Sequence, residues 1–489
     1  MMMSLREAAQ AVNGTLSGDF AGADLCFASV STDSRAAGPG VLFIALIGER
    51  FDAHDFVAEV AAKGAVAALV AADQLDRLRA CRLPLIAVAD TRLALGQLAA
   101  AWRQRFSIPV IAVTGSNGKT TTKEMIATIL RAQAALDGQA DPASAVLATQ
   151  GNLNNDIGLP LTLLALRETH RYAVVELGMN HPGEIAYLAK IARPNAAVVI
   201  NALRAHLEGM GSLDAVAREK GSLLAHLAPG GVAVIAADSP FTELWRGLAA
   251  GQAMLSFSRC GRGDINVEAQ AENLGSFLSI RDQRPGAAPD DESGVVSIFL
   301  QAAGQHNADN AAAAAAVCLA AGCSLRAVNR GLAGFAGVKG RLQQKTTGLG
   351  GLLIDDTYNA NPDSVRAAID VLAGLPGAAP RLLVLGDMGE TGSAARQYHQ
   401  EVGAYARQRG IDRLFSLGDL SVDAVSAFGP DATHYGSPEA LVAELAPVLT
   451  PSAAVLVKGS RFMRMERVVA LLEKPLEINS AHQGDASCC

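Results

Sequence analysis

The residues Thr114-Gly-Ser-Asn-Gly-Lys-Thr-Thr-Thr122 have the types and spacing to hold a phosphate group. They follow the apolar run Ile108-Pro-Val-Ile-Ala-Val113, which reads as a buried strand. They precede Lys123-Glu-Met-Ile-Ala-Thr-Ile-Leu130, whose apolar spacing reads as a helix. A glycine-containing turn between strand and helix gathers backbone N–H groups on an anion, and the helix dipole adds to the attraction. Gly115, Ser116, Asn117, Gly118 and Thr121 would line the turn, Lys119 would reach the outer phosphates, and the Thr120 hydroxyl would face Mg²⁺. The match to the common phosphate-loop spacing is imperfect, because Val113 stands where the early glycine is expected and the nearest glycine is Gly115.

Other polar residues fall where such a loop would need them. Glu176 ends the apolar run Tyr172-Ala-Val-Val-Glu176, a position suited to a metal-binding carboxylate but also to a solvated strand-end acid. His206 follows the next apolar run, 197–201, where a ligand and a satisfied structural histidine are equally consistent with the pattern. Lys220 has the spacing of an ordinary helix-surface lysine. Asn307 and Asn310 have helical i, i+3 spacing, so their amides could face a purine edge together, while Asn307 also suits a helix cap. Downstream, Asp355, Asp356, Tyr358, Asn359, Asn361 and Asp363 crowd the end of another apolar run and suggest a ligand-facing edge. Arg341 could meet phosphate across a cleft, and Asp387, Lys458 and Arg461 each follow an apolar strand at the edge where a second ligand would bind.

The elements that must position these groups alternate along the chain. At 489 residues the chain exceeds a single core. Three segments are expected: 1–83, with short strands and a helix-like 55–63; 84–331, with strands at 108–113, 172–177, 197–201 and 232–236; and 332–475, with strands at 351–355, 381–386, 413–417 and 453–457. Such alternation predicts an α/β protein with parallel sheets whose nucleotide sits at the carboxyl ends of the strands. Inserts at 131–145 and 283–294 read as surface loops, and 476–489 as a flexible tail. A formal net charge of −7 argues against a nucleic-acid partner. No apolar run reaches the roughly 18–20 residues of a membrane span. The Met1-Met-Met-Ser-Leu-Arg-Glu7 start lacks a signal peptide's apolar segment, and the seven cysteines show no CxxC spacing, so a cytoplasmic protein is expected.

Taken together and in this order, Thr114–Thr122, Glu176, His206, His306-Asn-Ala-Asp-Asn310 and Gly340-Arg341 resemble the Mur ligase family of ATP-dependent amide-bond ligases, over residues 25–465. The resemblance implies a small α/β N-terminal UDP-binding domain, a central ATPase domain and a C-terminal Rossmann-like domain. It also implies that Glu176, His206 and a carbamylated Lys220 hold two Mg²⁺ ions with Thr120, and that Asn307, Asn310, Arg341 and Asp356 contact ATP. Ser34, Arg35, Gly48 and His54 match the family's uridine-binding face, and Asn152, Asn154 and Asn155 its muramoyl-peptide stretch. Gly151–Pro160, Asp355–Pro362 and Leu385–Glu390 are similar to members that add D-alanyl-D-alanine to UDP-N-acetylmuramoyl-tripeptide. Those two substrates are the implied partners of a monomeric enzyme with no nucleic-acid partner and no membrane insertion. A relative adding a single amino acid is the nearest alternative. A regulatory GTP-binding module is the other, although its guanine-reading Asn-Lys-x-Asp tetrapeptide is absent from the sequence.

Overall fold

In the computed structural model, which describes residues 1–17, 25–284 and 294–474, the chain builds three α/β units. The first is a five-stranded sheet in the order Thr15–Ser17, Leu85–Val88, Ala67–Ala71, Val41–Ile44, Ser29–Ser31. Leu85–Val88 pairs in parallel with Ala67–Ala71, so this sheet extends past the expected boundary at 83. The reason is that the buried run Leu85-Ile-Ala-Val88 closes the first sheet before the helix Thr91–Arg103 leads into the next unit.

The central unit is a nine-stranded sheet. Val110–Thr114 lies between Tyr172–Glu176 and Ala196–Val199, both parallel to it. Val232–Ala236 and Ala253–Ser258 extend the parallel part. The expected parallel sheet carries an addition at its edge: Ile265–Glu272, Gly275–Asp282 and Val295–Leu300 form an antiparallel ribbon. Its signal was present in the alternation Ile265, Val267 and Leu278, Ile280, which buries one face, with Asn273 in the left-handed region at the turn. The insert expected as a loop at 131–145 is partly helical, because the helix Lys119–Leu136 keeps its apolar face on the sheet to its last turn. Residues 285–293 of the second insert and 475–489, which contain the expected tail, lie outside the described residues.

The third unit is a six-stranded sheet in the order Gln343–Thr346, Leu352–Asp356, Ala454–Lys458, Arg381–Gly386, Arg413–Leu417, Ala432–Tyr435, parallel except for its first strand. Each face carries its own apolar cluster. The first two units, by contrast, share one continuous cluster running from Leu42, Leu69 and Ile86 through Leu95 and Leu98 to Val110 and Val175. Shared apolar packing locks units one and two together, whereas the third meets them mostly through polar side chains, the kind of junction that permits relative motion.

Candidate active site

The phosphate-type loop forms as its sequence predicts. Val110–Thr114 is wholly buried, and the helix starts at Lys119 behind Gly118, whose φ is +85°. A Cβ at Gly118 would lie 2.1 Å from Asn310 Oδ1, so both backbone sign and space demand glycine. No side chain caps this helix, which leaves its first N–H groups for an anion. Lys119 curls back, its Nζ donating to Gly115 O at 2.9 Å, and burial pulls its pKa below the usual lysine value against the opposing charge of Glu176. Asn201, at the end of the neighbouring strand, grips the loop: its Oδ1 accepts from the N–H groups of Ser116 and Asn117, both at 3.0 Å. The strand-end position that singled out Glu176 would equally have singled out Asn201.

Glu176 is almost fully buried. Its Oε2 accepts from Thr120 Oγ1 at 3.0 Å and its Oε1 from Asn154 Nδ2 at 2.7 Å. The solvated-acid reading is thereby excluded. Lys220 is also misread as a surface residue by its local pattern: it is fully buried and its Nζ has no hydrogen-bond partner. Burial first, and the Lys119 charge second, hold its pKa well below that of an ordinary ammonium. His206 takes a left-handed backbone (φ +57°), and its Nδ1 lies 2.6 Å from Glu390 Oε2, a carboxylate supplied by the third unit.

Asn307 and Asn310 sit inside the helix Gln305–Ala320, whose cap is Gly304, so the capping role open to Asn307 is not used. Asn307 Nδ2 donates to Ala303 O at 2.7 Å and Asn310 Nδ2 to Asn307 Oδ1 at 3.0 Å, a relay that ends against Gly118.

The third unit presents its strand ends to this loop. Arg341 stacks over the Tyr358 ring at 4.1 Å and donates to Thr120 Oγ1 at 3.3 Å. Asp356 pairs with Lys458 and accepts from Leu342 N–H at 3.1 Å, while Lys458 also donates to Asn359 O at 3.1 Å. Asn361 caps the helix Pro362–Ala373 and exchanges amide hydrogen bonds with Asn117 at 2.6 and 3.2 Å. One cavity of ≈1440 Å³ joins these groups. Ser116–Lys119, Thr121, Glu176, His206, Asn307 and Asn310 line it from the central unit. Arg341, Asp356, Tyr358, Asn359, Asn361, Lys458 and Arg461 line it from the third. It continues past Asn152, Asn154 and Asn155 to Asp90, Arg92 and Glu49.

Several expected residues lie off its wall. His54 is buried with both ring nitrogens engaged, Nδ1 with Asp52 at 2.6 Å and Nε2 accepting from Ala71 N–H at 2.9 Å, so its ring has no nitrogen left for a ligand. Arg35 is exposed and bonded to Asp33, Ser34 O accepts from Lys63, and Gly48 pairs with Phe51; of that stretch only the adjacent Glu49 reaches the cavity. Asp387 also lies off the wall. Its carboxylate accepts from the N–H groups of Leu420 (3.1 Å) and Ser421 (2.8 Å), holding the start of the helix Val422–Phe428.

Among the described residues no three His, Cys, Asp or Glu side chains converge into a metal cage. The oxygen pair Thr120–Glu176 beside an uncapped helix start fits Mg²⁺ nonetheless, since that ion keeps most of its shell for waters and substrate phosphates.

The comparisons agree with this geometry. Family models match in three consecutive parts: the Mur ligase family catalytic domain over 27–103, the Mur ligase middle domain over 113–318, and the Mur ligase glutamate ligase domain over 340–461. UDP-N-acetylmuramoyl-tripeptide--D-alanyl-D-alanine ligase of Escherichia coli (strain K12) is 41% identical over 466 residues, covering 94% of this chain and 96% of its own length. A crystal structure of MurF from Acinetobacter baumannii superimposes with a TM-score of 0.85 at 37% identity, covering 96% of this chain and 98% of that one. MurF ligase from Thermotoga maritima, in complex with ADP, does so with a TM-score of 0.77 at 28% identity, covering 92% and 98%. The chain belongs to the Mur ligase family.

Proposed function

We propose that the protein is an ATP-dependent ligase that joins D-alanyl-D-alanine to UDP-N-acetylmuramoyl-tripeptide, completing the peptide of a peptidoglycan precursor. The observation that carries this reading is the single cavity in which an uncapped phosphate loop faces a second, polar strand-end edge from another unit. A relative sharing 41% identity over nearly the whole chain bears the name of that activity.

A carboxylate resists attack by an amine, so it must first gain a leaving group. The tripeptide's terminal carboxylate attacks the γ-phosphorus of ATP, forming an acyl phosphate and releasing ADP. The dipeptide amine then adds to the acyl carbon, loses a proton, and expels inorganic phosphate as the amide forms. Mg²⁺, held by Thr120 and Glu176, would neutralise phosphate charge. Lys119 supplies a fixed cation at the loop, and Arg341 brings a second from the third unit. Asn310 keeps Gly118 in its left-handed turn, and Asn154 orients the Glu176 carboxylate. Meeting of the third unit with the loop would exclude water from the acyl phosphate.

Lys220 enters this reading as a carbamate. A buried amine kept neutral and without a partner is a nucleophile for CO₂; the N–C bond forms, one proton leaves, and the product is an anionic oxygen donor. With His206 it would serve a second Mg²⁺. The assignment of Asn307 and Asn310 to ATP, of Asn152 and Asn155 to the muramoyl peptide, and of Tyr358, Asn359, Asn361, Lys458 and Arg461 to the dipeptide side belongs to the same proposal. So do a monomeric state and a cytoplasmic location.

Phosphate release with ATP, Mg²⁺ and UDP-N-acetylmuramoyl-tripeptide, with the amine varied, tests the reading. Release is expected with D-alanyl-D-alanine. Release with single amino acids and none with the dipeptide would move the protein to another branch of the family.

A further inference from the structure

Among the described residues, four side chains of the central unit make polar contacts with the third, and three of them are groups proposed to handle ligands: Thr120 with Arg341, Asn117 with Asn361, and His206 with Glu390. In the fourth, the carboxylate of Asp363 lines the cavity but its central-unit partner does not. Arg204 is off the cavity wall, and its guanidinium is shared by two carboxylates of the third unit. Nε and Nη2 donate to Asp363 at 3.1 and 2.6 Å, and Nη1 and Nη2 donate to Glu401 at 2.7 and 3.0 Å. The Arg204 backbone N–H adds a bond to Asp363 at 2.9 Å. The set is only 22–29% exposed, and Arg366 balances the second carboxylate at 2.8 Å. Bidentate pairs of this kind are directional, and partial burial strengthens them beyond ordinary surface pairs.

Both ends of this contact are mechanically placed. Asp363 lies in the first turn of the helix that Asn361 caps, so two adjacent points of one helix start are bound to the central unit. Arg204 lies in the short loop 201–206, which begins with Asn201 on the phosphate loop and ends at His206. Within that loop, Leu203 N–H donates to Ser116 Oγ at 2.9 Å and Leu203 O accepts from it at 3.0 Å.

We infer that Arg204 is a positioning residue for the ligation, a latch that seats the third unit on the loop carrying both the grip on the phosphate site and His206. Seating then sets the distance between the activated carboxylate and the incoming amine. Nucleotide binding does not depend on it, because Asn201 and Leu203 hold the phosphate loop from within the central unit.

The inference rests on the ligase reading, so the test measures domain spacing as well as turnover. Arg204→Met keeps the aliphatic stem, Glu401→Gln keeps the shape, and Arg204→Lys keeps the charge. In Arg204→Met, kcat is expected to fall about tenfold and KM for D-alanyl-D-alanine to rise, with the Kd for ADP within about twofold of wild type. Arg204→Lys should recover part of the loss. The Arg204→Met/Glu401→Gln double variant should lose no more than Arg204→Met alone, since both remove one interaction. Small-angle scattering of the substrate-free protein should show a larger radius of gyration in Arg204→Met. Wild-type kinetics and unchanged spacing in Arg204→Met overturn the latch, as does an ADP affinity that falls in step with kcat. If the wild-type protein makes no product from the dipeptide while Arg204→Met still widens the spacing, the ligase reading fails and the latch stands.

Discussion

Replacing Lys220 by Met should make the protein more stable and nearly inactive at once. Lys220 Nζ is buried without a partner, and a buried polar group left unmatched costs about 1–3 kcal/mol. Met preserves volume, which Ala would not, so the cavity penalty of a large-to-small change is avoided. In CO₂-free, metal-free buffer near neutral pH, Lys220→Met should therefore gain about 1–3 kcal/mol in chemical denaturation. The pH dependence gives a sharper check. The folded-state pKa is depressed from 10.5, so folding releases a proton and the unfolded chain binds more protons than the folded one. Wild-type stability should rise with pH by up to about 1.4 kcal/mol per unit between the depressed value and the ordinary one, and Lys220→Met should lack that component. Its advantage shrinks as pH climbs toward 10.5. Turnover with ATP, tripeptide and dipeptide should drop at least about 100-fold, the scale of losing an electrostatic group at a reacting centre. In Lys220→Ala, which leaves room, a short-chain carboxylate should restore part of it. Wild-type turnover in Lys220→Met refutes the carbamate, and a variant less stable than wild type across this range refutes the unpartnered-amine argument.

The other expectations concern the loop and two reassigned residues. Lys119→Ala should abolish product while the circular dichroism spectrum stays that of the folded protein; near-normal turnover would remove the loop from the mechanism. Gly118→Ala combines a disfavoured φ of +85° with a 2.1 Å approach to Asn310, so about 2–3 kcal/mol of strain is expected at the loop, read by calorimetry as ADP affinity weakened about 30- to 150-fold. Unaltered affinity would mean the loop relaxes freely. His54→Phe should leave the Ala71 N–H unmatched and lower stability by about 1–3 kcal/mol, with KM for the UDP substrate within about twofold in the folded fraction. A large KM change at unchanged stability would restore His54 to the uridine site. Asp387→Ala should destabilise the third unit by about 1 kcal/mol through loss of its bonds to Leu420 and Ser421, leaving KM for the dipeptide unchanged, as steady-state kinetics would report.

How much was legible follows from how far each feature reaches along the chain. The antiparallel ribbon was missed although its alternation is local, because the parallel pattern before it invited extension. The boundary at 83 was misplaced because Leu85–Val88 is a buried apolar run like those of the central sheet, and only pairing with Ala67–Ala71 assigns it. His54 and Asp387 stand in the right motifs, yet a side chain's partners decide its role, and those are Ala71 and Ser421.

By itself the sequence determined the phosphate loop, the strand-end stations of Glu176 and Asp356, and the α/β alternation. Each rests on contiguous residues whose backbone period and turn chemistry are local. Tertiary structure alone decided that Lys220 is a buried amine without a partner, its pKa pulled down by burial, since its helix spacing is that of a surface lysine and burial comes from distant elements. It also decided the latch: Arg204 and Asp363 are 159 residues apart, and nothing in either segment specifies the other until two separately cored units meet.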